Sequence, residues 1–218
     1  MKLKDRRIQI SCDGGAATGK TTGAKLISKH YRLRFMSSGL LYRYASYLLI
    51  KYKPKNKIIF LKKKFKNLKY KKLDRLNLHS PKISKESATI AKKLKVREVL
   101  RNFQINFAKK NKNCCIEGRD IATKILPNSD IKFYFKCNLN TAVFRRFKEL
   151  KKKDKKIKLK DVKKALISRD KKDRSRRFSP LQKHPDAVIV NAGKLTKQAM
   201  LAKMIKHVEN VLKQKYGK

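Results

Sequence analysis

The sequence predicts an α/β fold in which helices cover both faces of a parallel sheet. Short apolar runs alternate with segments of helical spacing along the chain, and this alternation is typical of parallel sheets. The first apolar run, residues 7–12, leads into a glycine-rich turn that is followed by a helical pattern. Polar clusters follow several of the runs. Because the carboxyl ends of parallel strands share one edge, a ligand site is expected there.

The glycine-rich turn, residues 13–22, reads DGGAATGKTT. It contains the phosphate-loop pattern G-x-x-x-x-G-K-[ST], with a strand predicted before it and a helix after it. In such loops backbone N–H groups hold phosphate, the lysine (Lys20) reaches the β- and γ-phosphates, and the threonine hydroxyl (Thr21) binds Mg²⁺. A glycine turn that only caps a helix is the alternative. The residues expected to bind ATP are Gly14, Gly15, Ala16, Ala17, Thr18, Gly19, Lys20, Thr21 and Thr22.

Apolar spacing predicts the other elements in order. Contiguous apolar runs indicate strands, and apolar residues three or four positions apart indicate helices. Ser38 is expected to cap the second helix. The expected strands are 7–12, 33–36, 114–116, 131–137 and 187–191, and the expected helices are 19–30, 38–51, 84–108, 141–151, 161–167 and 195–212.

Two segments do not fit this alternation. Residues 52–87 have more charge and less core character than their flanks, with β-like runs at 58–61 and 65–70. We interpret them as a lobe inserted on the scaffold, with a disordered linker as the alternative. Residues 152–160 are mostly lysine, and residues 169–180 hold the densest group of arginines.

The net charge of +47 is extreme for 218 residues. Clustered lysine and arginine would bind nucleic acid, but the lysines are spread over almost every polar segment and no stacking motif of the RNP type is present. We favour a composition bias, with only weak, non-specific electrostatic affinity for nucleic acid. A basic lead-in covers residues 1–7.

Cysteine and apolar content indicate a cytoplasmic chain without a membrane span. The four cysteines have no C-x-x-C spacing, and most fall on or beside predicted strands, so we expect reduced core residues, with a zinc site or a disulfide as the alternative. No apolar run approaches the ~20 residues of a membrane-spanning helix, and no signal-peptide core follows Met1.

The motifs favour phosphoryl transfer to a small acceptor. The DxxG and NKxD elements of a GTPase are not found, and a motor ATPase needs a larger chain. Two anionic substrates repel each other unless cations lie between them. The arginines that could supply this charge are Arg43, Arg119, Arg169, Arg174, Arg176 and Arg177.

Six segments of the chain together match the pattern of one family. They are DGGAATGKTT, SSGLLYR, VREVL, EGRDIAT, RDKKDRSRRFSPL and PDAVIVNAG. On these segments the chain resembles the bacterial cytidylate kinases, within the nucleoside monophosphate kinase group of P-loop kinases, over nearly its whole length. The Gly-Arg-Asp tripeptide and the spacing of the late arginines are the most diagnostic.

The resemblance implies Mg·ATP as donor and CMP or dCMP as acceptor, within pyrimidine nucleotide metabolism. It implies a single kinase domain over residues 1–218, with an acceptor-binding insertion at 52–87 and an arginine-rich lid at 152–179. It also implies a monomer. Lid closure would exclude water from the reaction.

The resemblance further implies roles for individual residues. Lys20, Arg119 and Arg169 are the expected catalytic residues. An ionised Asp120 would accept a hydrogen bond from the cytosine amino group, whereas uracil would present an oxygen there. The residues expected to bind the acceptor are Ser38 and Asp173 at the sugar, Arg43, Arg119 and Arg169 at the phosphate, and Arg97, Asp120 and Arg176 at the base.

Four of these residues have a simpler interpretation. Asp120 could be a structural partner of Arg119. Arg97 could be a solvated surface residue among lysines. Asp173 could offset the charge of its neighbouring arginines, and Ser38 could serve only as a helix cap.

The chain departs from the family pattern at a few positions. Ser37 stands where the family usually has aspartate, and Glu117 where it usually has aspartate before Gly-Arg-Asp. Ala88 stands where a serine is expected. Thr21-Thr22 replaces Gly-Thr, and Lys171-Lys172 replaces an acid and an arginine. The change at Ala88 concerns the detail of base recognition and not the reaction, and Glu117, a longer carboxylate, could still act on Mg²⁺ through water.

Two other functions are compatible with the sequence. A kinase of the same fold could use another acceptor, such as UMP or a non-nucleotide acid. A basic P-loop protein could instead bind RNA or ribosomes as its main role. RNA binding does not require the Gly-Arg-Asp motif or the late arginines.

Overall fold

The computed structural model describes residues 7–152 and 154–217, which form two compact units. One unit contains the described residues up to Phe35 and from Lys112 onward, and the other is Met36–Asn111. Apart from Arg7, the basic lead-in lies outside the described residues, as does Lys153 within the predicted lid.

The strands form one sheet in the order β2-β3-β1-β4-β5, and β1 pairs in parallel with β3 and β4, as β4 does with β5. The strands are β1 (Ile8–Gly14), β2 (Arg34–Ser37), β3 (Asn113–Gly118), β4 (Ile131–Lys136) and β5 (Val188–Asn191). The helices are α1 (Lys20–His30), α2 (Ser38–Tyr52), α3 (Lys57–Lys66), α4 (Pro81–Ile90), α5 (Leu94–Lys110), α6 (Leu139–Lys151), α7 (Leu159–Ser175) and α8 (Lys197–Tyr216), with a 3₁₀ helix at Tyr70–Arg75 and a π-helical turn at Ile121–Ile125. The predicted α/β fold with a parallel sheet is confirmed.

The central strand β1 positions the glycine-rich turn. All seven of its residues are buried, because strands lie on both sides of it and helices α1 and α8 share its core. Its register aligns Asp13 with Gly118 of β3 and Gly14 with Phe135 of β4. The turn after β1 therefore lies beside the segment that follows β3.

The β-like runs expected at 58–61 and 65–70 are wrong. Asn56 caps a helix here, because its side-chain oxygen accepts hydrogen bonds from the N–H groups of Ile58 and Ile59. The helix α3 buries Leu61 and Phe65, which are one turn apart. Residues 52–87 are largely helical and lie inside the second unit, so the structure does not support a disordered linker.

The single helix expected over residues 84–108 is also wrong, because one helix ends at Ile90 and the next begins at Leu94. In an uninterrupted helix, residues 90 and 96 would point in different directions. The break lets Ile90 and Val96 both be buried, whereas the apolar Leu94 is 43% exposed. No glycine or proline marks this break in the sequence.

The arginine-rich segment 169–180 begins inside a helix. Helix α7 covers Leu159–Ser175, longer than the 161–167 expected, and carries Arg169 and Asp173. The cysteines are free thiols as expected, with Cys137 half-buried and the other three buried. Among the described residues, no helix has the length and apolar character needed to cross a membrane.

Candidate active site

The turn after β1 has the backbone of a phosphate loop. Gly14 and Gly19 have φ angles of 155° and 87°, a region that favours glycine. A Cβ atom on Gly14 would also come within 2.5 Å of the Phe135 carbonyl oxygen. The Thr18 hydroxyl donates to the Gly15 carbonyl at 3.0 Å, which fixes the curvature of the loop.

Lys20 is folded back over this loop. Its Nζ donates to the Gly15 carbonyl at 3.1 Å and lies 4.0 Å from a carboxylate oxygen of Glu117 at the end of β3. Burial and the nearby charge of Arg119 lower the pKa of Lys20 to about 7, and Glu117 partly offsets them. A bound phosphate would restore the charged ammonium, because an anion favours it. Thr21 follows Lys20 in the first turn of α1, and its side chain is exposed.

A buried aspartate that sequence reasoning missed holds the segment after β3. The Asp13 carboxylate accepts hydrogen bonds from the N–H groups of Ile121 and Ala122 at 2.9 and 2.7 Å. Arg119 and Asp120 come directly before this π-helical turn, so Asp13 orients them. Burial raises the pKa of Asp13 to about 7, although both N–H groups favour its ionised form. A carboxylate next to the end of a fully buried strand was the available signal.

Arg119 connects the phosphate loop to helix α7. Its Nη1 donates to the Gly14 carbonyl at 2.9 Å, and its Nε donates to Asp173 Oδ2 at 2.8 Å. Burial alone would lower the pKa of Arg119, but the carboxylates of Asp173, Asp170 and Glu117 hold it above its ordinary value. The guanidinium is thus a fixed positive charge beside the loop.

The other partners form a short chain of alternating charges. Asp173 Oδ1 lies 3.4 Å from Arg176 Nη1, and Arg176 Nη2 lies 3.8 Å from Asp120 Oδ1. Burial raises the pKa of Asp173, but Arg119, Arg169 and Arg176 outweigh this effect and bring it below its ordinary value. The ion pair of Asp120 is with Arg176, whereas Arg119 pairs with Asp173. In this structure Asp173 contacts Arg119 and Arg176, so it offsets the charge of nearby arginines, as the alternative interpretation expected.

Helix α7 also brings Arg169 and Asp170 to the loop. Arg169 is exposed, and its charge is among those that lower the pKa of Lys20. Asp170, which the sequence analysis did not select, accepts a hydrogen bond from the Ala16 N–H through Oδ1 at 2.9 Å.

In the second unit, the two arginines predicted to bind the acceptor are held by other parts of that unit. Arg43 Nη1 donates to the Ser84 hydroxyl at 2.7 Å and to the Leu78 carbonyl at 3.2 Å. Arg97 is only 6% exposed, donates to the Ala91 carbonyl and lies over the Tyr42 ring at 5.6 Å. The alternative of Arg97 as a solvated surface residue is therefore wrong.

Two serine assignments change with the structure. The helix cap of α2 is Ser37, whose hydroxyl oxygen accepts from the Leu40 N–H at 3.3 Å, so the prediction that Ser38 is the cap is wrong. Ser38 is itself buried. Where the family pattern expects a serine, Ala88 is exposed, and the buried hydroxyl at this turn of α4 belongs to Ser87.

Comparisons with known proteins show which proteins this chain is similar to. The family model described as "Cytidylate kinase" matches residues 10–210. Curated relatives include a cytidylate kinase from Bartonella tribocorum, 32% identical over 94% of this chain and 95% of the relative. Another, from Rickettsia akari, is 30% identical over 94% of this chain and 93% of its own. A shikimate kinase structure from Bacteroides thetaiotaomicron matches 94% of this chain and 99% of its own with a TM-score of 0.53, and at 13% identity it shows the fold alone.

Proposed function

The chain belongs to the cytidylate kinase family, and on this premise we propose that it transfers the γ-phosphoryl group of ATP to CMP and dCMP. One observation supports the proposal most strongly. The phosphate loop lies beside the charged residues Arg119, Asp173, Arg176 and Asp120, which contact one another in turn. Arg119 joins both, through the Gly14 carbonyl and the Asp173 carboxylate.

The donor site consists of the loop from Gly14 to Thr22 and the first turn of α1. Its N–H groups and the positive end of the α1 dipole favour the phosphates of ATP. Lys20 would leave the Gly15 carbonyl for the β- and γ-phosphates. An oxygen of the acceptor phosphate attacks the γ-phosphorus in line, the bond to the β-phosphate oxygen breaks, and the products are ADP and CDP or dCDP.

The catalytic role of Arg119 and Arg169 is to neutralise charge. The acceptor phosphate and the γ-phosphate are both anions, and each must approach the other for transfer to occur. The Arg119 guanidinium is fixed beside the loop by Asp173, so little reorganisation is needed as negative charge shifts during transfer. Arg169 lies on α7, within electrostatic reach of Lys20.

Asp120 and Arg176 are proposed to read the base. An ionised Asp120 accepts a hydrogen bond from the cytosine amino group. With uracil two acceptors would face each other, a mismatch worth ~1–3 kcal/mol or more. The separation of 3.8 Å between Arg176 Nη2 and Asp120 Oδ1 supports a shared role at the base. Arg97 is proposed as a third group at the base.

The remaining acceptor residues are assigned from the family pattern. Arg43 is proposed to bind the acceptor phosphate with Arg119 and Arg169. Ser38 and Asp173 are proposed to contact the sugar. The burial of Ser38 and Arg43 supports a specific role, because a buried polar side chain must be oriented toward a partner.

Oxygen donors suited to Mg²⁺ lie next to Lys20. The Thr21 hydroxyl and the Glu117 carboxylate are hard oxygen ligands, and Mg²⁺ commonly takes one or two protein ligands and completes its shell with phosphates and water. The buried position of Glu117 near Lys20 supports its use at this site. Bound Mg²⁺ would supply positive charge to the phosphates.

ADP release with single acceptors tests this proposal. The purified protein would be given ATP and Mg²⁺ with CMP, dCMP, UMP, AMP, dTMP or shikimate, beside a reaction without acceptor. We expect release with CMP and dCMP and little with the others. Release with another acceptor would reject the assignments of Arg97, Asp120 and Arg176. No stimulation by any acceptor would reject kinase activity.

We also predict that the protein is cytoplasmic and monomeric and binds nucleic acid weakly and in a salt-sensitive way. We predict one kinase domain with an acceptor-binding lobe at 52–87 and a lid at 152–179.

A further inference from the structure

Asp170 of α7 places a carboxylate on the phosphate loop. Its Oδ1 accepts the 2.9 Å hydrogen bond of the Ala16 N–H, and a Cβ atom on Gly15 would come within 2.7 Å of its Oδ2. Both carboxylate oxygens are therefore at the loop backbone. This is the part of a phosphate loop whose N–H groups bind anions.

The surroundings of Asp170 are those of a bound anion. Lys20 and Arg119 are both near enough for the Asp170 charge to act on their titration. Hydrogen bonds from a backbone N–H to a charged acceptor are stronger than neutral ones. Asp170 thus provides a charged acceptor, from the chain itself, for one N–H group of the loop.

A second carboxylate reinforces this position of the helix. Asp173 lies one turn after Asp170 on α7 and pairs with Arg119, which in turn donates to the Gly14 carbonyl. The two side chains lie on the same face of the helix. They hold α7 to the loop at Ala16 and, through Arg119, at Gly14.

A backbone N–H has one hydrogen, so the Ala16 N–H cannot serve a carboxylate and a phosphate at full strength together. Like charges at this point also repel each other. We propose that Asp170 is an internal substitute for phosphate, which binds the Ala16 N–H of the loop and must leave it when ATP binds. The proposal rests on the proposed function for the identity of the ligand, and it makes Asp170 a positioning residue for α7.

ATP affinity of Asp170 variants tests this proposal. In Asp170→Ala the competing carboxylate is gone, so we expect the dissociation constant of ATP to fall about 3- to 10-fold. Asp170→Asn keeps the shape of the side chain without its charge. Its dissociation constant for ATP should therefore lie between those of Asp170→Ala and the unchanged protein. Asp161→Asn removes an exposed charge from the same helix and should leave the constant unchanged, which controls for net charge.

Thermal unfolding gives a second measurement that distinguishes competition from a purely structural role. Asp170→Ala should unfold at a lower temperature without ATP, because a contact is lost, yet show a larger rise in unfolding temperature when ATP is added. A smaller rise, or an unchanged or weakened ATP affinity, would overturn the proposal. Because neither measurement includes an acceptor, failure to phosphorylate CMP would reject the proposed function without changing this result.

Discussion

Arg119 Nε and Asp173 Oδ2 lie 2.8 Å apart although 54 residues separate them in the chain. The pair joins the segment after β3 to helix α7, and the same guanidinium contacts the Gly14 carbonyl of the phosphate loop. Both side chains are mostly shielded from water, with exposures of 14% and 17%. The arginine that we propose to be catalytic is thus held at a fixed position by contacts within the protein.

Removing Asp173 should destabilise the protein. Asp173→Ala leaves the Arg119 guanidinium without its charged partner in a mostly buried position, and such a loss costs about 1–3 kcal/mol. The free energy of unfolding in urea would measure it. The matched control is Glu149→Ala, which breaks the exposed pair with Arg146 and should cost less than about 1 kcal/mol. Equal losses in the two variants would argue against a structural role for the buried pair.

Removing the Lys20 ammonium should abolish phosphoryl transfer and leave the fold intact. In Lys20→Ala the kcat should fall by ~10²–10³-fold or more, because one fixed charge at the transferring phosphate is lost. Lys29→Ala changes an exposed side chain in the last turn of the same helix, so it is the control and should retain full activity. Near-normal turnover by Lys20→Ala, with an unchanged circular dichroism spectrum, would contradict the phosphate-loop mechanism.

Changing Asp120 should reduce discrimination between pyrimidines. Asp120→Asn replaces an acceptor by a group that can also donate, so kcat/KM for CMP should fall and the ratio of CMP to UMP should shrink by about 5- to 150-fold. Steady-state rates with each acceptor would measure this ratio. Asp186→Asn, at an exposed position, should leave it unchanged. A constant ratio in Asp120→Asn would remove Asp120 from base recognition.

Asp13 should make stability fall as pH rises through the mildly acidic range. Its folded pKa of about 7 is above the ordinary value of 3.8, so folding takes up a proton between these values and stability decreases as pH rises through them. Urea unfolding of the wild-type protein and of Asp13→Asn would isolate this contribution, with a difference that changes by up to about 1.4 kcal/mol per pH unit. A difference that is constant from pH 4 to pH 7 would show that the Asp13 pKa is not raised.

Local patterns made the sheet and the phosphate loop predictable. The glycines, Lys20 and the apolar run before them are adjacent in sequence, and their conformation is set largely by residues within one turn. Alternation of strands and helices then restricted the topology to a parallel sheet.

Partners distant in the chain could not be predicted in the same way. Asp13 binds backbone N–H groups 108 and 109 residues away, and Asp170 binds one 154 residues away. Such contacts depend on the order of the strands in the sheet, and the spacing of residues in the sequence does not specify that order. The β-branched pair Ile58-Ile59 suggested a strand, but the cap from Asn56 and the burial of Leu61 and Phe65 favoured a helix.

Transfer of labelled phosphate from γ-labelled ATP to CMP tests the central claim most directly. After incubation with Mg²⁺, chromatography would separate ATP, CDP and inorganic phosphate, with a parallel reaction that lacks CMP. We expect the label to appear in CDP in equal amount to the ADP formed, and little free phosphate without CMP. Label found only in inorganic phosphate, at a rate that CMP does not change, would contradict the assignment as a cytidylate kinase.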